Sequence, residues 1–304
     1  MAQLSRVDLH MHTEASDGQW SPAQLVATAN ERGMELIAIT DHDTCESAQW
    51  AYGYARHLRE SGAPSTRVIP GVELTARIER GGGPQIAHLV ALDVDPYEPG
   101  LLELCEHTQQ VRLREVAHKL EFVASKGLEL GFRVQAELAA NPFTGRGDIA
   151  RALIQARQVG SMSAAYREVF DDYDESVTAP EFPDAATVVE VAHAAGGVVV
   201  WAHPLREVMF RGDITREECE ARLAELLPAG IDALECWYST FKLVDCRWLE
   251  ALAKKYNLLV SGGSDHHGGR FRDRMGCLCA NAQVGVERLT VLGRCAKGTV
   301  TLAH

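Results

Sequence analysis

Seven short runs rich in branched aliphatic residues recur along the chain, most of them followed by an amphipathic stretch, and this alternation limits the folds open to it. The runs are Arg6–Leu9, Leu36–Thr40, Val68–Leu74, Ile86–Leu92, Gly197–Ala202, Ala233–Trp237 and Leu258–Gly262. Helical periodicity falls at Pro22–Arg32, Ala185–Ala195, Arg216–Leu227 and Lys242–Tyr256. Strand followed by helix, repeated, predicts a parallel sheet wrapped by helices. Seven such strands predict an α/β fold, a distorted (β/α)7 barrel, with its chemistry at the C-terminal strand ends. The middle of the chain differs. After Asp95-Pro96 only helical patterns follow, at Leu101–Lys126, Val134–Ala139, Asp148–Gln158 and Ser163–Phe170. Residues 1–95 and 183–304 are therefore expected to form the barrel, and residues 96–182 a helical insertion contributing to the substrate pocket. Pro180 and Pro183 mark its return.

The ends of these runs carry ionisable residues. The first leads into Asp8-Leu9-His10-Met11-His12. Side chains two apart on a strand point the same way, so Asp8, His10 and His12 share a face. Two imidazoles so placed can bind one cation, and a nearby carboxylate can orient a ring through its other N–H. Alone, the pattern also suits an incidental pair. Asp17, in Ser16-Asp17-Gly18, suits a turn as well as a ligand. The second run ends Thr40-Asp41-His42-Asp43, three ionisable groups whose burial without partners would be costly. Glu73 interrupts the apolar Pro70-Gly71-Val72-Glu73-Leu74 and is either salt-bridged or metal-bound. His88 taken alone reads first as a hydrogen-bonded core histidine. The fifth run stops at Ala202-His203-Pro204, and the last exits through Gly262-Gly263-Ser264-Asp265-His266-His267-Gly268-Gly269, whose glycines allow tight turning.

The ionisable residues named above fall on six of the seven runs, and a barrel would bring those ends together. Carboxylates and imidazoles without thiolates suit Mn²⁺, Zn²⁺ or Fe²⁺, and the ligands are too many for one ion. The eight cysteines form no CxxC pair and read as reduced, mostly buried thiols. A net charge of -12 disfavours tight binding along a long nucleic-acid backbone, stable duplex DNA included, but leaves room for a small anion held locally. No uninterrupted apolar window reaches membrane-spanning length. Met1 to Arg6 lacks the apolar core of a signal peptide, so a cytoplasmic location is expected.

The set His10-x-His12, Asp17, Thr40-Asp41-His42, Gly71-x-Glu73, His88, Ala202-His203-Pro204 and Ser264-Asp265-x-His267 resembles the PHP family, the polymerase and histidinol phosphatase superfamily. The motifs match in order across both ends of the chain. The segment Gly145-Arg146-Gly147-Asp148-Ile149-Ala150-Arg151-Ala152-Leu153 resembles the TrpH-like branch, which includes 3',5'-nucleoside bisphosphate phosphatases and the 5'-to-3' exoribonuclease RNase AM. The resemblance implies two or three divalent cations, Mn²⁺ first, with Zn²⁺ or Fe²⁺ as alternatives. It implies that His10, His12, Glu73 and Asp265 hold one ion and that Glu73, His88 and His203 hold a second. Asp17, His42 and His267 would hold the third. Relatives often carry His where this chain has Asp148, a departure on the substrate side rather than at the metals.

The expected reaction is removal of the 3'-phosphate from a nucleoside 3',5'-bisphosphate by metal-activated hydroxide attack. Asp265 and His203 are the candidate catalytic residues, Asp265 handling the proton of the water. Arg146, a planar and permanently charged fork, is the first candidate phosphate contact, followed by Arg133 and Arg206. Arg146 alone also reads as a solvated helix-start residue. A 5'-to-3' exoribonuclease acting on short RNA is the alternative enzyme, since both reactions cleave a phosphoester at a ribose 3'-oxygen. A histidinol-phosphate-type phosphatase follows, and outside catalysis a degenerate polymerase-associated barrel. The expected partner is a small nucleotide or short RNA, not a membrane, and the oligomeric state is open.

Overall fold

The computed structural model describes residues 4–61, 65–80, 82–206, 214–269 and 274–295. The parts of the expected barrel segments at 1–3, 62–64, 81, 207–213, 270–273 and 296–304 lie outside the described residues. Seven strands make one sheet in chain order: β1 (Val7–Asp8), β2 (Leu36–Ile39), β3 (Arg67–Arg80), β4 (Gly83–Leu92), β5 (Val198–Trp201), β6 (Ala233–Tyr238) and β7 (Leu259–Gly263). Just beyond β1 the chain meets the end of β7. Leu9 N–H donates to the Gly262 carbonyl at 3.2 Å, Asp265 N–H to that of His10 at 2.9 Å, and His12 N–H to that of His266 at 2.8 Å. The sheet is thereby a nearly closed, mostly parallel seven-stranded barrel, the distorted (β/α)7 architecture that the alternation predicts.

β3 and β4 depart from strand–helix repetition. They pair antiparallel from Gly71↔Leu92 to Arg80↔Gly83, and β4 is antiparallel to β5 as well. Only two residues separate Arg80 of β3 from Gly83 of β4, too few for a crossover helix. Both strands outrun the apolar segments that announce them, because ladder hydrogen bonds carry the pairing into the polar Arg77–Arg80 stretch. β2 and β5 are buried at every residue, as strands covered on both faces should be.

The helices are α1 (Pro22–Glu31), α2 (Glu46–Ser61), α3 (Pro99–Ser125), α4 (Phe132–Ala140), α5 (Arg146–Gln155), α6 (Met162–Glu168), α7 (Ala185–Ala194), α8 (Arg216–Leu226), α9 (Leu243–Lys255) and the short α10 (Leu292–Cys295). α1 opens with a reciprocal cap: Gln24 N–H donates to Ser21 Oγ at 3.2 Å while Ser21 N–H donates to Gln24 Oε1 at 3.0 Å. Pro22 sits at its first position, where a missing N–H costs nothing. α2 fills the β2–β3 connection, where the sequence reading names no helix. α7, α8 and α9 turn apolar stripes inward, such as Val188, Val189 and Ala192 on α7. These stripes share one core with Val72, Leu74, Leu89 and Val199 of the sheet.

The chain divides into two compact units, Met1–Cys105 with Pro183–His304, and Glu106–Phe182. The second has a core of its own, built from Val116, Leu120, Ile149, Leu153 and Phe170 with Tyr173. Among the described residues no helix is long and apolar enough to cross a membrane.

Candidate metal centre

The chain leaving β1 alternates its side chains between two environments. Met11 joins the core with Leu25, Ile37 and Ile39, while His10 and His12 turn the other way and are almost wholly buried. Gly263 makes room for this, since a Cβ there would lie 2.1 Å from that of His10. Only glycine lets β7 run this close to the first imidazole.

Glu73, fully buried in β3, stands at the centre. Its Oε2 lies 3.1 Å from His10 Nε2, 3.2 Å from His12 Nε2 and 3.1 Å from His42 Nδ1. Its Oε1 lies 3.2 Å from His88 Nδ1 and 3.1 Å from His203 Nε2. The β3–β4 register explains the His88 contact. Glu73 pairs with Val90 and Thr75 with His88, so Glu73 and His88 are diagonal neighbours on one face of the hairpin. Asp265 Oδ1 lies 3.2 Å from His12 Nε2, 3.8 Å from His10 Nε2 and 3.5 Å from His267 Nδ1. Asp17 meets His267 Nε2 at 3.1 Å and His12 Nδ1 at 3.7 Å. All the residues expected as ligands therefore stand in one continuous cluster.

Their atoms form three groups that could each hold an ion: His10, His12 and Glu73; His42, Glu73 and His88; and His12, Asp17, His42 and His267. His12, His42 and Glu73 fall in two groups each, and Asp265 and His203 in none, so the division differs from the one the resemblance implies. The donor set fits cations on a second ground. Among the described residues, His10 Nε2, both nitrogens of His12, His42 Nδ1, His88 Nδ1 and Glu73 Oε2 are buried and find no hydrogen-bond partner. Leaving such atoms dry and unpaired is costly. Two ligands roughly 2.1 Å from one cation lie about 3.0–3.4 Å apart, which brackets the imidazole–carboxylate separations around Glu73.

Protons alone satisfy the cluster poorly. Burial works against a charged His10, but Glu73 and Glu235 outweigh it and hold its pKa well above the usual value. Burial likewise opposes charge on His12, yet Asp265, Glu73 and Asp17 bring it up to about 10. His42 goes the other way. Burial, with His12 and His88 nearby, overcomes the pull of Glu73 and leaves it well below the usual range. Burial favours a neutral Glu73, but His10, His42 and His88 hold it well below an ordinary carboxylate, and Asp265 is depressed against burial by His267, His12 and His10. One carboxylate thus faces five imidazoles.

Carboxylates behind the cluster hold its framework. Glu235 of β6, which the sequence reading does not single out, accepts from His10 Nδ1 at 3.0 Å and from the His203 N–H at 2.7 Å. The carboxylate orienting the His10 ring is thus Glu235 and not Asp8, whose side chain turns to the N–H groups of Ser264 and Gly276, each at 2.8 Å. Burial raises Asp8 to about 6 against those N–H groups. Tyr238, also unforeseen, donates its hydroxyl to Asp265 Oδ2 at 2.6 Å. His203 and Asp265 have φ of 32° and 54°, left-handed backbone that only a well-supported site retains.

Of the arginines expected at substrate, Arg206 stands beside the cluster, donating through Nη1 to the Tyr238 hydroxyl at 3.3 Å. Arg146 opens α5 in the helical unit and lies over the Tyr166 ring at 5.7 Å. Arg133, on α4, has a side chain 91% exposed and paired with Glu137 at 3.0 Å. Asp148 caps α5, accepting from Gly145 N–H at 2.9 Å, and pairs with Arg151.

Comparison with known proteins gives a consistent picture. The PHP domain family model matches residues 8–182. The 5'-3' exoribonuclease Rnm of Escherichia coli is 30% identical over 86% of this chain and 84% of its own length. A 3',5'-nucleoside bisphosphate phosphatase of Chromobacterium violaceum is 28% identical over 88% of this chain and 90% of its own. A crystal structure from Bifidobacterium adolescentis, described as a candidate metal-dependent phosphoesterase, superposes with a TM-score of 0.72 at 27% identity, covering 98% of both chains.

Proposed function

The chain belongs to the PHP domain family, and from that premise we propose that it is a metal-dependent phosphoesterase removing the 3'-phosphate of nucleoside 3',5'-bisphosphates. One observation carries the reading: Glu73, a buried carboxylate with three imidazole nitrogens at one oxygen and two at the other. Support for the substrate comes from the Chromobacterium violaceum relative, whose name states that reaction, and from the TrpH-like segment around Arg146.

Mn²⁺ is the cation assigned. His10, His12, Glu73 and Asp265 would hold one ion, Glu73, His88 and His203 a second, and Asp17, His42 and His267 a third. Bound cations there supply acidified water and charge neutralisation for the phosphoryl oxygens. The chain's own groups do the rest. Glu235 fixes the His10 ring and, through the backbone N–H of His203, the turn that carries that imidazole. Asp265 takes the proton of the attacking water, and His203 stands beside Glu73 Oε1. Arg206, beside the cluster, is the guanidinium assigned to grip a substrate phosphate. The cytoplasm is the assigned compartment, in keeping with eight free thiols, all but Cys277 buried.

A second reading, 5'-to-3' exoribonuclease action on short RNA, is favoured by the Escherichia coli relative. Chelator-stripped protein reloaded with Mn²⁺ and offered adenosine 3',5'-bisphosphate and a short 5'-phosphorylated RNA separates the two. Phosphate and AMP are expected, with the higher kcat/KM on the bisphosphate. Faster release of 5'-mononucleotides from RNA would transfer the assignment to the second reading, and no turnover of either would overturn both.

A further inference from the structure

We propose that Tyr238 is a positioning residue that fixes the plane of the Asp265 carboxylate, so that one of its oxygens faces the histidine cluster. The inference rests on Asp265 being a metal ligand, as in the reading above. Its basis is a bulge in β6. Glu235 pairs with Ser261 of β7, but the next pairs are Trp237↔Gly262 and Tyr238↔Gly263, so Cys236 is an extra residue. Side chains three apart on a regular strand point to opposite faces, and one inserted residue restores their parity. Glu235 and Tyr238 consequently both face the cluster, Glu235 toward His10 and Tyr238 toward Asp265.

The two oxygens of Asp265 are divided between different neighbours. Oδ2 accepts the Tyr238 hydroxyl at 2.6 Å, while Oδ1 faces His12, His267 and His10. The carboxylate torsion is broad, so Asp265 has no intrinsic reason to hold its plane at this angle. Tyr238 supplies one. Its ring is 1% exposed, lies 4.9 Å from the Phe241 ring and sits under the Arg206 guanidinium at 5.8 Å. Because Arg206 Nη1 donates to the hydroxyl oxygen, the hydroxyl hydrogen is directed to the carboxylate. Strand parity hides this role from the sequence, where Ala233–Trp237 reads only as a strand.

Tyr238→Phe removes one oxygen and no carbon. Calorimetric titration of chelator-stripped protein with Mn²⁺ is expected to show at least one site weakened about 10–100-fold, the range for losing a hydrogen bond behind a metal ligand. In the Mn²⁺-loaded variant kcat is expected to fall by a similar factor while KM moves much less. A merely structural hydroxyl would instead lower the melting temperature of the stripped protein and leave Mn²⁺ affinity alone. An affinity loss of less than about threefold, well short of that range, would overturn the proposal. Wild-type protein that binds no Mn²⁺ would overturn the metal-site reading itself, a separate failure visible in the same titration.

Discussion

Asp41 and Asp43, flanking His42 after β2, are as deeply buried as Glu73, yet the two regions keep different company. Asp41 accepts from Thr13 N–H at 2.7 Å, Thr13 Oγ1 at 2.6 Å and the hydroxyls of Ser16 and Ser47. Asp43 accepts from Thr75 N–H at 2.7 Å and Thr75 Oγ1 at 2.6 Å. These are neutral donors, and they clip β1, β2, α2 and β3 together. Around Glu73 stand imidazoles, several with nitrogens that no group among the described residues satisfies. A buried carboxylate surrounded by hydroxyl and amide donors builds scaffold, whereas one surrounded by imidazole lone pairs is set for a cation. Within Thr40-Asp41-His42-Asp43 the middle side chain serves the centre and its neighbours serve the frame.

The sharpest way to break this contrast is Glu73→Gln. It is expected to lower kcat/KM roughly a thousandfold with loss of bound Mn²⁺, as removal of the metals would. Retained metal and turnover in that variant would erase the distinction. Asp41→Ala should do the reverse, lowering unfolding free energy in urea by about 3 kcal/mol through stranded buried donors while Mn²⁺ per folded molecule stays level. Mn²⁺ at a hundredfold excess over its Kd is expected to stabilise the wild type by about 2.7 kcal/mol, seen as a shifted melt. Glu73→Gln should show no such shift.

The pH response of the stripped protein sharpens the contrast further. The folded pKa of His12, about 10, exceeds its ordinary 6.5. Its proton therefore contributes stability that is fully present below pH 6.5 and lost as pH rises through 10. Melting temperature of the chelated protein is expected to decline across that interval, and a rise would contradict the assignment. The smallest effect belongs to Arg133→Ala, which removes an exposed pair with Glu137 and should change stability by less than about 0.5 kcal/mol in the same urea assay.

Much of the barrel is legible in the sequence because strands covered on both faces read as continuous apolar runs, and a lone Glu73 or His88 within one stands out. Less local features are not. The β3–β4 hairpin is announced only by glycines 81–83, whose turn signal competes with the strand–helix rhythm around it. α2 carries polar and charged residues along its length, and its link to the sheet is through packing. Glu235 and Tyr238 are hidden by the extra residue Cys236, since parity counted along a strand fails at a bulge. Asp8, sharing a face with His10 by spacing, is claimed by Ser264 and Gly276, partners at the other end of the chain.

The seam where β7 meets the segment after β1 also bears on how the molecule comes into being. Met11 bridges to His266, so the first and last strands meet only after everything between them has been synthesised. A polypeptide halted before Leu259 lacks Asp265 and His267 and leaves an open strand edge, the kind of surface on which unfinished chains aggregate. Translation that stops short thus yields a chain both incomplete in its cage and prone to stick at its exposed border.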